Sequence, residues 1–189
     1  MSEAPYMPEL VTARLLLRQL RLEDVEAIYA YASDPEVARY TTWYPHQSLG
    51  DASTFLEDVV NRYQAKEPAD WGLVLASSNQ LIGTCGFTYI KTAHSRAEVG
   101  YAMSRLHWGH GLMTEALDAV LSYGFTALGL NRIEARTVVD NRMSQRVLEK
   151  CHMQYEGVLR QQMRIKGQYW DMKMYSILHD DYVGLGISG

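Results

Sequence analysis

Two glycines one residue apart, Gly109 and Gly111, stand directly before the most regular amphipathic stretch of the chain, in "RLHWGHGLMTEAL" (Arg105–Leu117). Beyond them Met113, Ala116, Leu117, Val120 and Leu121 fall at i, i+3, i+4, i+7 and i+8. That spacing predicts a helix reaching about Leu128 with one apolar face. Helix-weakening residues at a helix entrance suit a backbone that turns where a Cβ is unwelcome or that lies close against another group. The first N–H groups of a helix have no internal partner and sit at the positive end of its dipole, so such an entrance can hold an anion. A plain tight turn has the same requirement. A Walker loop is excluded because its lysine is absent. A Rossmann turn fits poorly: Thr114 stands where the third glycine belongs, and Arg105 to Trp108 separate the turn from the preceding strand.

The elements around this turn fix the fold class. "RLLLRQL" (Arg14–Leu20) reads as a short strand. A helix follows with Glu23, Asp24 and Glu26 in its first turn, ended by Asp34-Pro35. A second helix begins at a capping box of Ser48 and Asp51, with Phe55, Val59 and Tyr63 along one stripe. Three strand-like runs come next: Trp71–Ser77, Leu81–Ile90 and Ala97–Ser104, joined by short polar links that favour antiparallel neighbours. After the glycine turn and its helix come a strand ("NRIEARTVV"), a shorter helix ("NRMSQRVLEKCHM") and two alternating runs closing through "KGQ" as a hairpin. The expectation is one α/β domain over residues 1–189, core 11–180, with a mixed, mostly antiparallel twisted sheet of about seven strands flanked by about four helices.

Composition narrows the function. With 189 residues and 47% hydrophobic content the chain can build one substantial core. A net charge of −4 lacks the basic field of a nucleic-acid binder. No apolar run approaches the ~18–20 residues needed to span a bilayer. The opening "MSEAPYMPEL" has neither a positive nor an apolar export region, so a cytoplasmic protein is expected. Cys85 and Cys151 show no metal-type spacing and are expected reduced and buried.

The strand "EVGY", the turn "HWGHG", the helix "LMTEAL" and the later N-x-x-S-x-x-V-L-E-K-x-x-x-x-Y-E-G together resemble the GNAT N-acetyltransferase superfamily. The subgroup most similar is that of the ribosomal-protein N-acetyltransferases, whose opening "TARLLLRQLRLEDVEAIYAYASDPEVARY" also resembles. The resemblance covers about Val11 to Asp180. It implies that acetyl-CoA is the cosubstrate, with no metal, and that the backbone of His107, Trp108, Gly109, His110, Gly111 and Leu112 cradles its pyrophosphate. Leu106 stands where the family pattern has Gln or Arg, a departure compatible with the subgroup's W-G-x-G form. The resemblance also implies that Tyr101, Ala102 and Met103 pair with the pantetheine arm, that strand splay there leaves donors to polarise the thioester carbonyl, and that Asn141 contacts the same arm. Alone, Asn141 reads as a helix N-cap.

Acetyl transfer needs a neutral amine, yet an α-amino group has a pKa of roughly 7.7–8.0, and the leaving thiolate benefits from a proton. Glu98, mid-strand where several family members carry a catalytic glutamate, is the candidate base; the alternative is a solvated charge on a sheet face. Leu148 occupies the place of the family's usual acidic tyrosine. Ser144, three residues after Asn141, matches the serine assigned this role in the subgroup; the alternative is helix capping or packing. His107 and His110, and likewise Glu149 and His152, lack a completing metal ligand in sequence. Trp43, Tyr44, Trp71 and Trp170 suit an acceptor groove or the core. No nucleophile elbow suggests an acyl-enzyme.

The resemblance therefore implies direct transfer of an acetyl group to a primary amine, foremost the N-terminal α-amine of a ribosomal or other protein. A small polyamine, amino acid or antibiotic is the alternative acceptor, and an acetyl-CoA-binding sensor without turnover the alternative class. No nucleic acid or membrane partner is expected, and the protein is expected as a monomer or homodimer. Acceptor choice is assigned to the two N-terminal helices and the C-terminal hairpin, where Glu23, Glu26 or Glu36 could line an acidic groove.

Overall fold

The computed structural model describes residues 6–186. The flanking residues 1–5 and 187–189 lie outside it, and with them the ends of the expected 1–189 domain and part of the opening stretch on which the expectation of a cytoplasmic protein rested. Among the described residues eight strands follow in chain order: β1 (Leu10–Val11), β2 (Leu15–Gln19), β3 (Asp70–Leu75), β4 (Leu81–Lys91), β5 (Arg96–Met103), β6 (Arg132–Val138), β7 (Gln154–Ile165) and β8 (Gln168–Leu178). They form one sheet in the order β1-β2-β3-β4-β5-β6-β8-β7. Its neighbours are antiparallel except β5 and β6, which run parallel because a helix connects them. β1 is the strand beyond the expected set. It is a two-residue pairing of Leu10 with Leu17 and Val11 with Leu16, too short to leave a periodic trace.

Among the described residues six α-helices accompany the sheet: α1 (Val25–Ala32), α2 (Pro35–Ala38), α3 (Leu49–Ala65), α4 (Leu112–Thr126), α5 (Arg142–Lys150) and α6 (His179–Gly184). The two unexpected ones, α2 and α6, are short, four and six residues long. Asp34-Pro35 ends α1 as expected but also starts α2. Proline is tolerated at the first helical position, and the Asp34 carboxylate accepts the Glu36 N–H at 2.9 Å. The Ser48–Asp51 capping box opens α3. The periodic positions of α4 are its buried face, from Leu112 and Met113 through Leu121 to Phe125. No helix among the described residues is long and apolar enough to cross a membrane.

The sheet is covered differently on its two faces. α4 lies close on one face, since a Cβ at Gly124 would meet the Ile133 side chain at 2.7 Å. α5 shares that face: Tyr175 reaches Glu149, and Lys173 reaches Gln145 at 2.8 Å. α1 and α3 pack on one another on the opposite side, over the β2–β4 half. Strand side chains alternate, so Glu98, Glu134 and Arg136 project away from α4 and α5. A small apolar cluster of Val138, Ile165 and Met172, with Tyr40 and Trp170 against it, extends along β6 and β8 beyond them.

Candidate active site

β5 and β6 hydrogen-bond only at their first residues. Arg96 pairs with Arg132, Ala97 with Ile133 and Glu98 with Glu134. Past that point β5 stays with β4 and β6 stays with β8, and the two strands separate into a fork. Antiparallel ladders alternate the direction of their main-chain groups. The Ser104 N–H bonds the Ile82 carbonyl at 2.8 Å, so Ser104, Ala102 and Gly100 face β4. Consistent with this, a Cβ on Gly83 would meet the Ala102 carbonyl at 2.4 Å. By the same alternation Tyr101 and Met103 turn their main-chain groups into the fork. The Met103 carbonyl there accepts the Trp108 indole N–H at 2.8 Å. Of the three strand residues singled out from sequence, Tyr101 and Met103 open to the fork, while the Ala102 main chain is turned to β4.

From the end of β5 the chain makes one 3-10 turn, Arg105–His107, and enters α4 through the glycines. Gly109 and Gly111 have φ of +79° and +77°, the left-handed region that glycine occupies without strain. A Cβ on Gly109 would meet nothing within 4 Å, so the requirement there is conformational rather than spatial. No side chain caps α4. Its first amides therefore lack a side-chain acceptor, as expected of an anion cradle. Leu106 is 83% exposed, so the side chain that departs from the family pattern points to solvent.

A cation that sequence reading missed stands beside this cradle. Arg14 donates Nη1 to the His110 carbonyl at 2.9 Å and Nε to Glu115 at 2.6 Å. Its Nη2 would lie 3.6 Å from a Cβ on Gly111. The Arg14 N–H and the Thr12 hydroxyl also bond Glu115, at 2.7 and 2.6 Å. Partial burial pushes the Glu115 carboxyl up, but the Thr12 and Arg14 hydrogen bonds outweigh it and hold it below the usual range. The partners are about a hundred positions apart in the chain, and no local spacing reveals them.

Two hydroxyls meet on the α5 side of the fork. Tyr101 Oη lies 2.8 Å from Ser144 Oγ and 3.2 Å from the Ser144 carbonyl. Burial pushes the phenol well above its ordinary pKa, against the opposing Ser144 hydrogen bond, so it keeps its proton. Asn141 caps α5, its side chain accepting the Ser144 N–H at 3.2 Å, and so fixes where Ser144 sits. Tyr101 was singled out for its backbone; its side chain is the feature sequence reasoning did not foresee.

Glu98 lies at the base of the fork on the opposite face. It is 7% exposed, which removes the reading of a solvated surface charge. Arg136, the first residue on β6 past the last paired one to share its face, reaches back across the fork. A single nitrogen, Nη2, contacts both carboxylate oxygens at 2.9 and 2.7 Å. Arg136 Nε is buried with no hydrogen-bond partner, a condition that typically destabilises by about 1–3 kcal/mol. The neighbouring Glu134 is better satisfied, bonding Tyr89, Arg96 and Arg132 at 2.6, 3.1 and 2.7 Å.

The remaining candidates sort by burial. Trp71 is fully buried against Phe87 and Tyr123, a core residue rather than a groove residue. Trp170 stacks edge-on with Tyr40, on the Glu98 face, and Tyr44 is exposed beneath Lys166. Lys166, at the tip of the β7–β8 hairpin, bonds the Ala38 carbonyl, and Arg105 pairs with Asp34 at 2.9 Å. α2 is thus tied both to the hairpin and to the glycine turn. Glu23, Glu26 and Glu36 are exposed, and Glu36 pairs with Arg39. Cys85 and Cys151 are free and buried, and burial holds both thiols well above their ordinary pKa. Among the described residues no group of three His, Cys, Asp or Glu is placed to hold a metal ion.

Comparison with known proteins gives this arrangement a context. Residues 14–154 match the model of the acetyltransferase (GNAT) domain. The chain is 42% identical over 171 residues to the uncharacterized N-acetyltransferase YoaA of Bacillus subtilis, covering 90% of this chain and 97% of that protein. It is 36% identical over 178 residues to the uncharacterized N-acetyltransferase p20 of Bacillus licheniformis, covering 94% and 100%. A GNAT-family acetyltransferase of Bacillus anthracis superposes with a TM-score of 0.82 at 28% identity, covering 92% and 99%. A forked sheet, a glycine turn and relatives matched along almost their full length lead to one assignment: the chain belongs to the GNAT family of N-acetyltransferases, which transfer the acetyl group of acetyl-CoA.

Proposed function

We propose that acetyl-CoA lies with its pyrophosphate on the amides of His107–Leu112, beside Arg14, and its thioester in the β5–β6 fork. The observation that carries this reading is the placement of ionisable and hydroxyl groups on the two faces of one gap. Glu98 stands on one face, Tyr101 and Ser144 on the other, and the main chain of Tyr101 and Met103 opens between them.

In this reading the acceptor amine arrives on the Glu98 face. Glu98, directly or through one water, takes the proton that the nitrogen loses on attack at the thioester carbon. A main-chain N–H in the fork donates to the thioester oxygen as charge develops there. The C–S bond breaks, and the Ser144–Tyr101 pair returns a proton to the departing sulfur. Asn141 positions Ser144 by capping α5. The protein works as one domain, and transfer is direct: both thiols are buried and protonated, so neither is a ready nucleophile.

The acceptor is a primary amine, foremost an N-terminal α-amine. Supporting this, a structure described as ribosomal L7/L12 alpha-N-protein acetyltransferase in complex with coenzyme A shares the fold, with a TM-score of 0.81 at 22% identity. A polyamine is the second reading, since a relative in Vibrio cholerae named spermidine N(1)-acetyltransferase is 26% identical over 173 residues. Mass spectrometry of a peptide and amine panel after incubation with acetyl-CoA tests both. One acceptor class should emerge heavier by one acetyl group. Tight acetyl-CoA binding without acetylation or thiol release on any amine would sink the catalytic reading and favour a sensor.

A further inference from the structure

The ion pair across the fork differs from the two-nitrogen arginine–carboxylate pairs of this protein. Arg18 grips Asp24 with both terminal nitrogens, each at 2.8 Å, and Arg132 likewise holds Glu156 with two. Such two-nitrogen contacts are the strong, geometrically specific form. Arg136 instead offers Glu98 one nitrogen, keeps its Nε buried without an acceptor, and leaves its side chain 25% exposed. A guanidinium with that much donor capacity unspent, in a proposed acceptor site, is built to take a second anion. The charges around it agree. Arg132 is committed to Glu134 and Glu156, Arg96 gives Glu134 one nitrogen and likewise keeps its Nε buried without an acceptor, and Glu98 is the carboxylate that faces Arg136 across the fork. Beyond it along β6 and β8 lie the buried Val138 and Met172 with Trp170 partly buried against them, an apolar cluster.

Resting on the proposed transfer site, we infer that Arg136 recognises a carboxylate of the acceptor, and that the acceptor is a primary amine with a carboxylate close to it. A free amino acid and a peptide with an acidic first residue both carry that chemistry. When such an acceptor enters, its carboxylate takes the unspent edge of Arg136, and its amine comes to the Glu98 oxygens that Arg136 partly yields. The two halves of the resident ion pair exchange partners, so the amine is drawn to the base by the group that anchors its carboxylate. A polyamine gains nothing here, because Arg136 repels it and no uncommitted acid replaces the missing carboxylate.

The test compares matched acceptors and their products. Thiol release from acetyl-CoA is measured with leucine against leucine amide, and with a peptide beginning Asp against the same peptide beginning Asn. In parallel, calorimetry measures binding of the acetylated products, acetyl-leucine against acetyl-leucine amide and the two acetylated peptides, to the enzyme holding coenzyme A. At least one carboxylate-bearing member should exceed its partner by about tenfold in kcat/KM or in affinity, and the pair that does identifies the source. Arg136→Met should bring that ratio close to one, chiefly through KM, and Arg136→Lys should restore part of it. Glu98→Gln, which removes the competing carboxylate, should tighten binding of the carboxylate product. Equal use and equal binding within both pairs by the unsubstituted enzyme, or a preference that survives Arg136→Met, would overturn the inference. Acetyl-CoA binding by the same samples separates the outcomes: retained binding leaves the cofactor reading standing while the acceptor inference fails.

Discussion

Glu98 and the Tyr101–Ser144 pair divide the proposed proton transfers between two faces of the sheet, and each can be removed by itself. Glu98→Gln keeps the side-chain shape and a hydrogen bond to Arg136 but cannot take a proton. A general base contributes typically about 10²–10⁴-fold, so kcat should fall within that range and the acidic limb of its pH profile should vanish. An unaltered profile would dismiss Glu98 as the base. Ser144→Ala and Tyr101→Phe each break the 2.8 Å contact between the hydroxyls. If the pair delivers one proton as a unit, either change should lower kcat by roughly 10–100-fold and the double variant by little more, since residues acting together are not additive. Wild-type turnover in both single variants would reduce the hydroxyls to packing. The family resemblance singled out Ser144, three residues after Asn141, and in the structure Asn141 is the cap that sets the serine. The Tyr101 hydroxyl was not legible, because nothing local says which face of β5 meets α5.

Elements explain why the turn was readable and its support was not. Gly109 and Gly111 mark a turn by residue type, and the structure gives both a positive φ. The clasp on that turn joins β2 to α4, through Arg14 and Glu115, and chain distance hides it. Arg14→Ala removes the bond to the His110 carbonyl and leaves Glu115 with fewer donors. Coenzyme A affinity should fall by about tenfold, equivalent to ~1.4 kcal/mol, with kcat at saturation nearly kept. Titration calorimetry checks this; unchanged affinity would show that the cradle holds its shape without the clasp. The single-turn helix α2 was hidden differently. Asp34-Pro35 carries the signal of a stop and also that of a start, and the second turn is held by its Asp34 cap, by burial of Val37 and Ala38, and by the ties from Arg105 and Lys166.

At the scale of the whole molecule, periodicity and short links gave the mixed sheet, its antiparallel order and its main helices, because those depend on patterns a few residues long. Burial of polar groups did not follow from such patterns. Glu98 is buried where β5 lies between β4 and β6 and Arg136 reaches across to it, a long-range outcome, and Trp71 is core through contacts as distant in the chain. One polar group under strain makes a stability prediction. Burial pushes the Asp70 carboxyl up to about 6, against the pull of Arg62. Its folded-state affinity for a proton thus exceeds that of the unfolded chain, so the folded protein loses stability as pH rises from about 4 through 6. Asp70→Asn should stabilise by on the order of 1–2 kcal/mol at pH 7 and by almost nothing at pH 4. Denaturant unfolding at the two pH values checks the sign, and equal effects at both would contradict it.

The account stands on where acetyl-CoA touches the backbone, and amide hydrogen exchange with and without saturating acetyl-CoA reads that directly. It predicts slowed exchange concentrated at 107–113 and at Tyr101 and Met103, with little change at the far edge strands β1 and β7. Binding that protects some other segment and leaves those amides as they were would contradict it.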